Sequence, residues 1–247
     1  MNLLLLPPGT SDGAVTLSDS QAGHLRSVLG VAPGDTVRVG VIDGPMGTGT
    51  VVHLDATTPQ VVLQCQFDTT IPDAPRVDLL LALPRPKVMK RLWAQLAALG
   101  VGRIMLTNAE KVERPYFDTH VLEESVYRPL LLEGLQQARD TRVPLVTVHR
   151  QFRKLVEDEL DGLSNARTRL LADPGAHPSP ATALREHAAG RVLLAVGPDG
   201  GWNDFERGLL IGQGFGPISM GTRTLRTDTA CVALLALVHD AVTRPGA

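Results

Sequence analysis

"RVLLAVGPDGGWNDFERGLL" (residues 191–210) passes from an apolar run of strand length, through Gly197, Pro198, Asp199, Gly200 and Gly201, into a helical pattern. Asn203 can accept a hydrogen bond from a free N–H of the first helical turn, and Glu206, three residues on, can reach back as in a capping box. Strand, glycine loop and helix together let backbone N–H groups approach a ligand, because glycine has no Cβ and tolerates positive φ. The spacing fits neither G-x-G-x-x-G nor G-x-x-x-x-G-K-[ST], and no lysine follows, so phosphate binding is disfavoured. A tight βα turn accounts for the loop as well as a ligand site does.

The same alternation runs outward from this stretch. "VDLLLALP", "VGRIMLT", "VPLVTVH", "TRLLAD" and "RVLLAVG" are strand-length apolar runs between helical patterns, which implies an α/β domain with a parallel sheet covered on both faces. A helix is expected from about Lys87 to Leu99, with Val88, Leu92, Trp93, Leu96 and Leu99 on its core face, Pro86 before it and Gly100 after it. Another is expected from Tyr127 to Asp140, with Pro129 confined to its first turn. Between residues 36 and 67 the pattern differs. "TVRVGVI", "TVVHL" and "QVVLQCQF" are β-branched runs separated by the turn formers of "DGPMGTG" and "DATTP", as in a small β-barrel or sandwich. "DTTIPDAP" (68–75) has the composition of an exposed linker. Two domains are therefore expected, 1–70 and 76–247.

The 247 residues are 43% hydrophobic with a formal charge of −2, enough for a real core and without the basic excess usual in nucleic-acid-binding domains. Any RNA contact must be a local patch. Arg85, Lys87, Lys90 and Arg91 form the densest basic cluster, although a solvated surface explains it equally well. The opening "MNLLLLPPGT" is too short for a signal peptide or a membrane span, so a soluble cytoplasmic protein is expected. Cys65 and Cys231 should be buried, reduced and inert. No histidine pairs with another histidine or a cysteine at metal-ligand spacing, so no metal is expected.

A second stretch, "PISMGTRTLRTDTACVALLALVHDAV" (217–242), begins as a short strand (Pro217 to Met220), turns at Gly221 and ends in a helix apolar enough to be buried on both faces. Arg223, Arg226 and Asp228 stand immediately before that packed surface. They should pair with one another or with a ligand, or form a structural network at a subunit interface.

"GPDGGWNDFE" followed by "MGTRTLRTDTA" resembles the paired motifs of the SPOUT methyltransferases that modify 16S ribosomal RNA at a uridine N3, the RsmE-like family. "HLRSVLGVAPGDTVRVGVIDG" (24–44) is similar to their PUA-like RNA-binding domain, and "ALGVGRI" and "QQARDTRVP" resemble their central segments. Asp199 and Asp228 stand where the family has glutamate, and Gly30 stands where arginine is common. The helix after "LPRP" lacks the family's usual glutamates.

The resemblance implies a C-terminal SPOUT domain with a parallel sheet and a deep trefoil knot, plus an N-terminal PUA-like β-barrel. It implies S-adenosylmethionine as cofactor, read by Val196, Gly197, Pro198, Gly200 and Gly201 from one loop and by Ser219, Gly221 and Thr224 from the other. Met220 and Leu225 would supply apolar walls. Arg223 and Arg226 would stabilise the uridine anion and meet RNA phosphate, and Asp199 or Asp228 would take the proton. His24, Arg26, Arg85, Lys87, Lys90 and Arg91 would contact ribosomal RNA or the small ribosomal subunit. A homodimer is implied, with the Cys231–Val242 helix at its face. Two alternatives stand beside this reading: a doubly wound nucleotide or dinucleotide enzyme, and a catalytically inactive RNA-binding or assembly protein of the same fold.

Overall fold

The computed structural model describes residues 2–54, 60–175, 177–185 and 190–243. The chain divides into two compact units, one of Met1–Asp73 with Leu132–Val143, the other of Ala74–Leu131 with Pro144–Ala247.

The opening leucines of the first unit form a buried strand, β1 (Leu4–Leu6), followed by β2 (Gly13–Thr16) and α1 (Asp19–His24). Then come β3 (Thr36–Val41), β4 (Met46–Leu54) and β5 (Val61–Phe67). The sheet order is β1-β3-β4-β5-β2, with β1 parallel to β3 and the other pairs antiparallel. Its two end strands are not joined, so the sheet is a curled half-barrel, within the small barrel or sandwich that the sequence suggested. The expected turn at "DGPMGTG" is also shorter. Val41 N–H donates to Pro45 O at 2.9 Å and β4 begins at Met46, because Gly47 allows the β5 backbone to approach where a Cβ would sit 1.9 Å from Gln66 O. The "DATTP" turn lies outside the described residues. Alternate residues of the strands, among them Val39, Val51, Leu63 and Cys65, pack with Leu4, Leu6 and Leu25 into one core.

The second unit follows the βα alternation. Its elements are β6 (Val77–Ala82), α2 (Pro86–Ala98), β7 (Val101–Thr107), the first part of α3 (Glu124–Ala138), whose remainder from Leu132 belongs to the first unit, and β8 (Leu145–His149). A short interrupted helix holds α4 (Phe152–Lys154) and α5 (Leu160–Leu163). After it come β9 (Thr168–Ala172), α6 (Pro180–Leu184), β10 (Val192–Val196), α7 (Asp204–Gly212), β11 (Phe215–Ile218) and α8 (Thr227–Thr243). All six strands are parallel, in the order β11-β9-β10-β6-β7-β8. The chain steps outward from β6 to β8 and crosses to the opposite side for β9. β10 then fills the place between β9 and β6.

Several element boundaries differ from expectation. The buried face of α2 is Met89, Leu92, Trp93, Leu96 and Ala97, with Val88 and Leu99 only half-buried, because packing against the sheet and α8 decides which stripe is covered. Helix α3 starts three residues early, which puts Pro129 inside it. Pro129 is tolerated there because it and Ser125, whose carbonyl loses its helical partner, are both exposed to water. Helix α8 buries one face only, Cys231, Leu234, Leu235, Val238 and Val242, while Leu237 on the other side is 45% exposed. Both cysteines are free and buried, and burial pushes both thiols up from their ordinary value. No helix of the described residues is long and apolar enough to cross a membrane.

Candidate active site

The capping box read from the sequence forms. Glu206 N–H donates to Asn203 Oδ1 at 2.7 Å, and Asn203 N–H donates to Glu206 Oε2 at 2.9 Å. Its second carboxylate oxygen, Oε1, accepts from Glu110 N–H at 2.7 Å, and Asn203 Nδ2 donates to the Glu110 side chain. Lys111 Nζ donates to Gly200 O at 2.5 Å. The loop after β10 is thus fastened to the loop after β7. Beneath it the buried Trp202 indole packs against Phe152, ring centroids 5.3 Å apart, and lies where a Cβ on Gly197 would approach it to 3.1 Å.

The same loop is tied to the start of α8. Asp199 Oδ1 accepts from Thr227 N–H at 3.1 Å, and Thr227 Oγ1 donates to Gly197 O at 3.2 Å. Asp199 therefore serves the first residue of α8 as a cap supplied from another segment, a position where the N–H groups are otherwise unpaired and a negative charge is favoured. A third loop joins them, since Asp173 N–H donates to Ile218 O and Ser219 N–H to Pro178 O, both at 3.0 Å.

Together these loops, which follow the adjacent strands β9, β10 and β11, enclose an open and mainly apolar cavity of about 610 Å³, its mouth included. It lies at the carboxyl ends of the strands, where open α/β sheets bind ligands. From the first sequence stretch, Val196, Gly197, Pro198, Asp199 and Gly201 line it. From the second, Ser219, Met220, Gly221, Arg223, Thr224 and Leu225 do. Gly200 stands outside the lining because its carbonyl is turned to Lys111.

Sequence reasoning missed the third wall, Ala172, Asp173 and Pro174. The signal was present, since "TRLLADP" ends a strand of the same sheet just as "LLAVGP" does. Asp173 is held at the wall by His177 Nε2 at 3.2 Å and by Arg207 Nε at 3.4 Å.

Of the arrangements open to Arg223, Arg226 and Asp228 at the start of α8, mutual pairing does not occur. Asp228 pairs with Arg91 on α2, Nη2 to Oδ2 at 2.9 Å, and its Oδ1 accepts from Thr229 N–H at 2.9 Å. Arg223 and Arg226 are exposed, and neither carries an ion pair among the described residues. Arg223 lines the cavity, and Arg226 stands between the lining residues Leu225 and Thr227.

A family model described as an RNA methyltransferase domain matches residues 72–239, a span that contains the whole of this cavity. The chain belongs to that family. Among curated relatives of this methyltransferase, the ribosomal RNA small subunit methyltransferase E of Treponema pallidum is 31% identical, covering 95% of this chain and 91% of the relative. The protein named ribosomal RNA small subunit methyltransferase E 1 of Borreliella burgdorferi is 24% identical over 94% and 95%. Among solved structures, the ribosomal RNA small subunit methyltransferase E of Neisseria gonorrhoeae, bound to S-adenosyl methionine, superposes with a TM-score of 0.78 at 23% identity. That match covers 97% of each chain and establishes the fold. Membership sets aside the doubly wound nucleotide-enzyme alternative.

In an RNA methyltransferase the free cations matter next. Arg85, Lys87, Lys90 and Arg91 are all exposed, Lys87 to Arg91 on the side of α2 away from its core stripe, and the Arg91 pair with Asp228 places that cluster beside the start of α8. His24 and Arg26, in the other unit, are half-buried, and His24 Nε2 and Arg26 Nε have no hydrogen-bond partner among the described residues. No group of residues able to hold a metal ion occurs among the described residues.

Proposed function

We propose that this protein is an S-adenosylmethionine-dependent methyltransferase that modifies a uridine N3 in 16S ribosomal RNA. One observation carries the reading. The two loops singled out in the sequence line a single cavity, with Arg223 in its lining and Arg226 beside it, neither in an ion pair among the described residues.

The cavity fits the cofactor. Met220, Leu225 and Ile218 offer apolar surface beside backbone groups of Gly197, Gly201 and Gly221, the mainly apolar lining with a few polar groups that small-molecule sites have. A Cβ at Gly221 would meet nothing within 4 Å, so that loop leaves space beside its backbone. When bound, S-adenosylmethionine supplies a methyl group already activated as a sulfonium.

The chain's own residues then have two tasks, to align the uridine and to manage its N3 proton. Arg223 and Arg226 donate to the anion that deprotonation leaves on the ring, and such donors are worth roughly 3 kcal/mol. Of the two candidate carboxylates, Asp228 has both oxygens engaged, by Arg91 and by Thr229 N–H. Asp199 uses Oδ1 on Thr227, keeps Oδ2 without a partner among the described residues and lines the cavity. Asp199 is therefore the proton acceptor in this reading.

The exposed cluster from Arg85 to Arg91 tracks RNA phosphates, and the first unit, with His24 and Arg26, acts as a PUA-like RNA-binding domain. The C-terminal segment forms the deep trefoil knot of a SPOUT domain. The protein works in the cytoplasm as a homodimer joined through the exposed side of α8, where Leu237 faces solvent in the single chain.

Incubation with labelled cofactor and unmodified small ribosomal subunits, followed by mass spectrometry of the nucleosides, tests the reading. The expected product is 3-methyluridine in 16S RNA. Cofactor binding without methyl transfer would favour the inactive RNA-binding alternative.

A further inference from the structure

Helix α3 ends with Asp140 N–H donating to Leu135 O at 3.1 Å, a six-residue closure whose penultimate residue, Arg139, has φ +61°. Glycine is usual at this position, and a side chain there costs about 1 kcal/mol. Only Asp43 and Arg139 among the described non-glycine residues have positive φ. Asp43 has a visible local use, since its Oδ1 accepts from Val143 N–H at 3.0 Å. The Arg139 guanidinium has none, for it is exposed and makes no ion pair or hydrogen bond among the described residues.

The backbone that carries Arg139 is firmly pinned. Asp140 Oδ1 accepts from the N–H groups of Thr141 and Arg142 at 2.6 and 3.0 Å. Thr141 Oγ1 donates to Gly44 O at 2.7 Å, and Arg142 Nε donates to Pro72 O at 2.7 Å. A strained residue on a rigid mount, with its charge left in solvent, is the pattern expected where function keeps a residue against stability.

Arg139 shares its surroundings with a second guanidinium that has no ion pair or hydrogen bond among the described residues. Two cavities of the first unit, each of about 630 Å³ with its mouth included, are both lined by Arg139 and Arg38, the latter an exposed residue of β3. Asn2 and Thr36 add polar groups to one, and Thr48 to the other. The only carboxylate in either lining, Asp68, belongs to the second cavity and forms no ion pair among the described residues. Two arginine forks that line the same cavities, one of them without a carboxylate in its lining, suit a tetrahedral oxyanion bound by charge-assisted hydrogen bonds.

We propose that Arg38 and Arg139 form a phosphate clamp that grips the ribose-phosphate backbone of the substrate RNA at a point separate from the methyl-transfer cavity. The proposal rests on the reading of this protein as an RNA methyltransferase. The clamp fixes the register of the RNA and carries no base information.

The test is a titration of the full chain with an unmodified small-subunit RNA fragment at several salt concentrations, for Arg139→Gly, Arg139→Lys and Arg38→Ala. Arg139→Gly should raise Tm by a few degrees while weakening RNA binding about tenfold and lowering the salt slope by about 0.7. Arg139→Lys should keep most of the slope, and Arg38→Ala should weaken binding comparably without the gain in Tm. Cofactor affinity should be unchanged throughout. Variants that bind RNA with unaltered affinity and slope overturn the clamp alone, as does an Arg139→Gly protein that loses stability, because Arg139 would then be structural. Failure of the unsubstituted protein to bind or methylate the RNA overturns both the clamp and the methyltransferase reading.

Discussion

The loops after β10 and β11 meet at one cavity but are built differently. The first is fastened by Lys111, Glu110, Glu206 and Thr227, and it is backed by Trp202. The second makes a small closure of its own, Ser219 Oγ bonding Gly221 O at 3.0 Å and Gly221 N–H at 3.1 Å, and leaves Arg223 and Arg226 in solvent. The difference separates two duties. A wall that must present backbone groups in a fixed array is braced by its neighbours, whereas side chains that must meet an incoming anion keep their charges uncommitted.

The sharpest way to break this contrast is Arg226→Ala. Turnover should fall at least about 100-fold, with Tm and cofactor affinity nearly unchanged in kinetic, thermal and calorimetric measurements. A clear loss of stability would make the arginine part of the scaffold.

Gly197→Ala is the corresponding blow to the braced loop. Its Cβ would come within 3.1–3.2 Å of the Trp202 ring, which Phe152 restrains from behind, so a loss of about 1–3 kcal/mol is expected in denaturant unfolding. Gly221→Ala meets no neighbouring atom, and its cost should be confined to about 1 kcal/mol of backbone strain at φ +113°.

Asp199 belongs to both duties, and two substitutions separate them. Asp199→Asn keeps an acceptor for Thr227 N–H, so stability should hold while methyl transfer falls. Asp199→Ala should in addition lose about 1 kcal/mol through the missing cap. Full activity in Asp199→Asn would reduce the residue to a cap.

The smallest effect lies away from both loops. Hydrogen bonds from Lys154 and then His149 hold the Glu159 carboxyl below its ordinary value of 4.5. Its contribution is complete above that value and disappears as pH falls through the lowered one, because the unfolded chain takes up the proton first. Glu159→Gln should slightly flatten the acid limb of the stability curve and leave turnover unchanged.

Much of this was legible in the chain. The βα rhythm located five of the six strands in the second unit's parallel sheet, whereas the sixth, expected at Pro217 to Met220, forms two residues earlier at Phe215–Ile218, and the Asn203–Glu206 spacing announces a capping box that forms. Boundaries were less legible because they depend on partners. Pro129 entered α3 because solvent accepts what the helix gives up at Ser125. The stripe of α2 includes Met89 and Ala97 in place of Val88 and Leu99 because neighbouring elements, not spacing alone, decide which face is covered. Whether the first unit is a barrel, a half-barrel or a sandwich is not legible, because alternating strand patterns say which side faces the core and not whether the last strand reaches the first.

The amino-acid order alone settled periodicity, capping and the chemical character of the two loops, since these depend on neighbours within a few residues. Which charges would be spent on the scaffold needed the folded chain. Asp228 found Arg91 across 137 positions of sequence, Asp199 found the amide of Thr227, and Ala172 to Pro174 became the third wall of the cavity. Pairings of that kind are decided by strand order and helix packing, because a side chain bonds whatever the fold brings within about 3 Å, however far away it stands in the sequence.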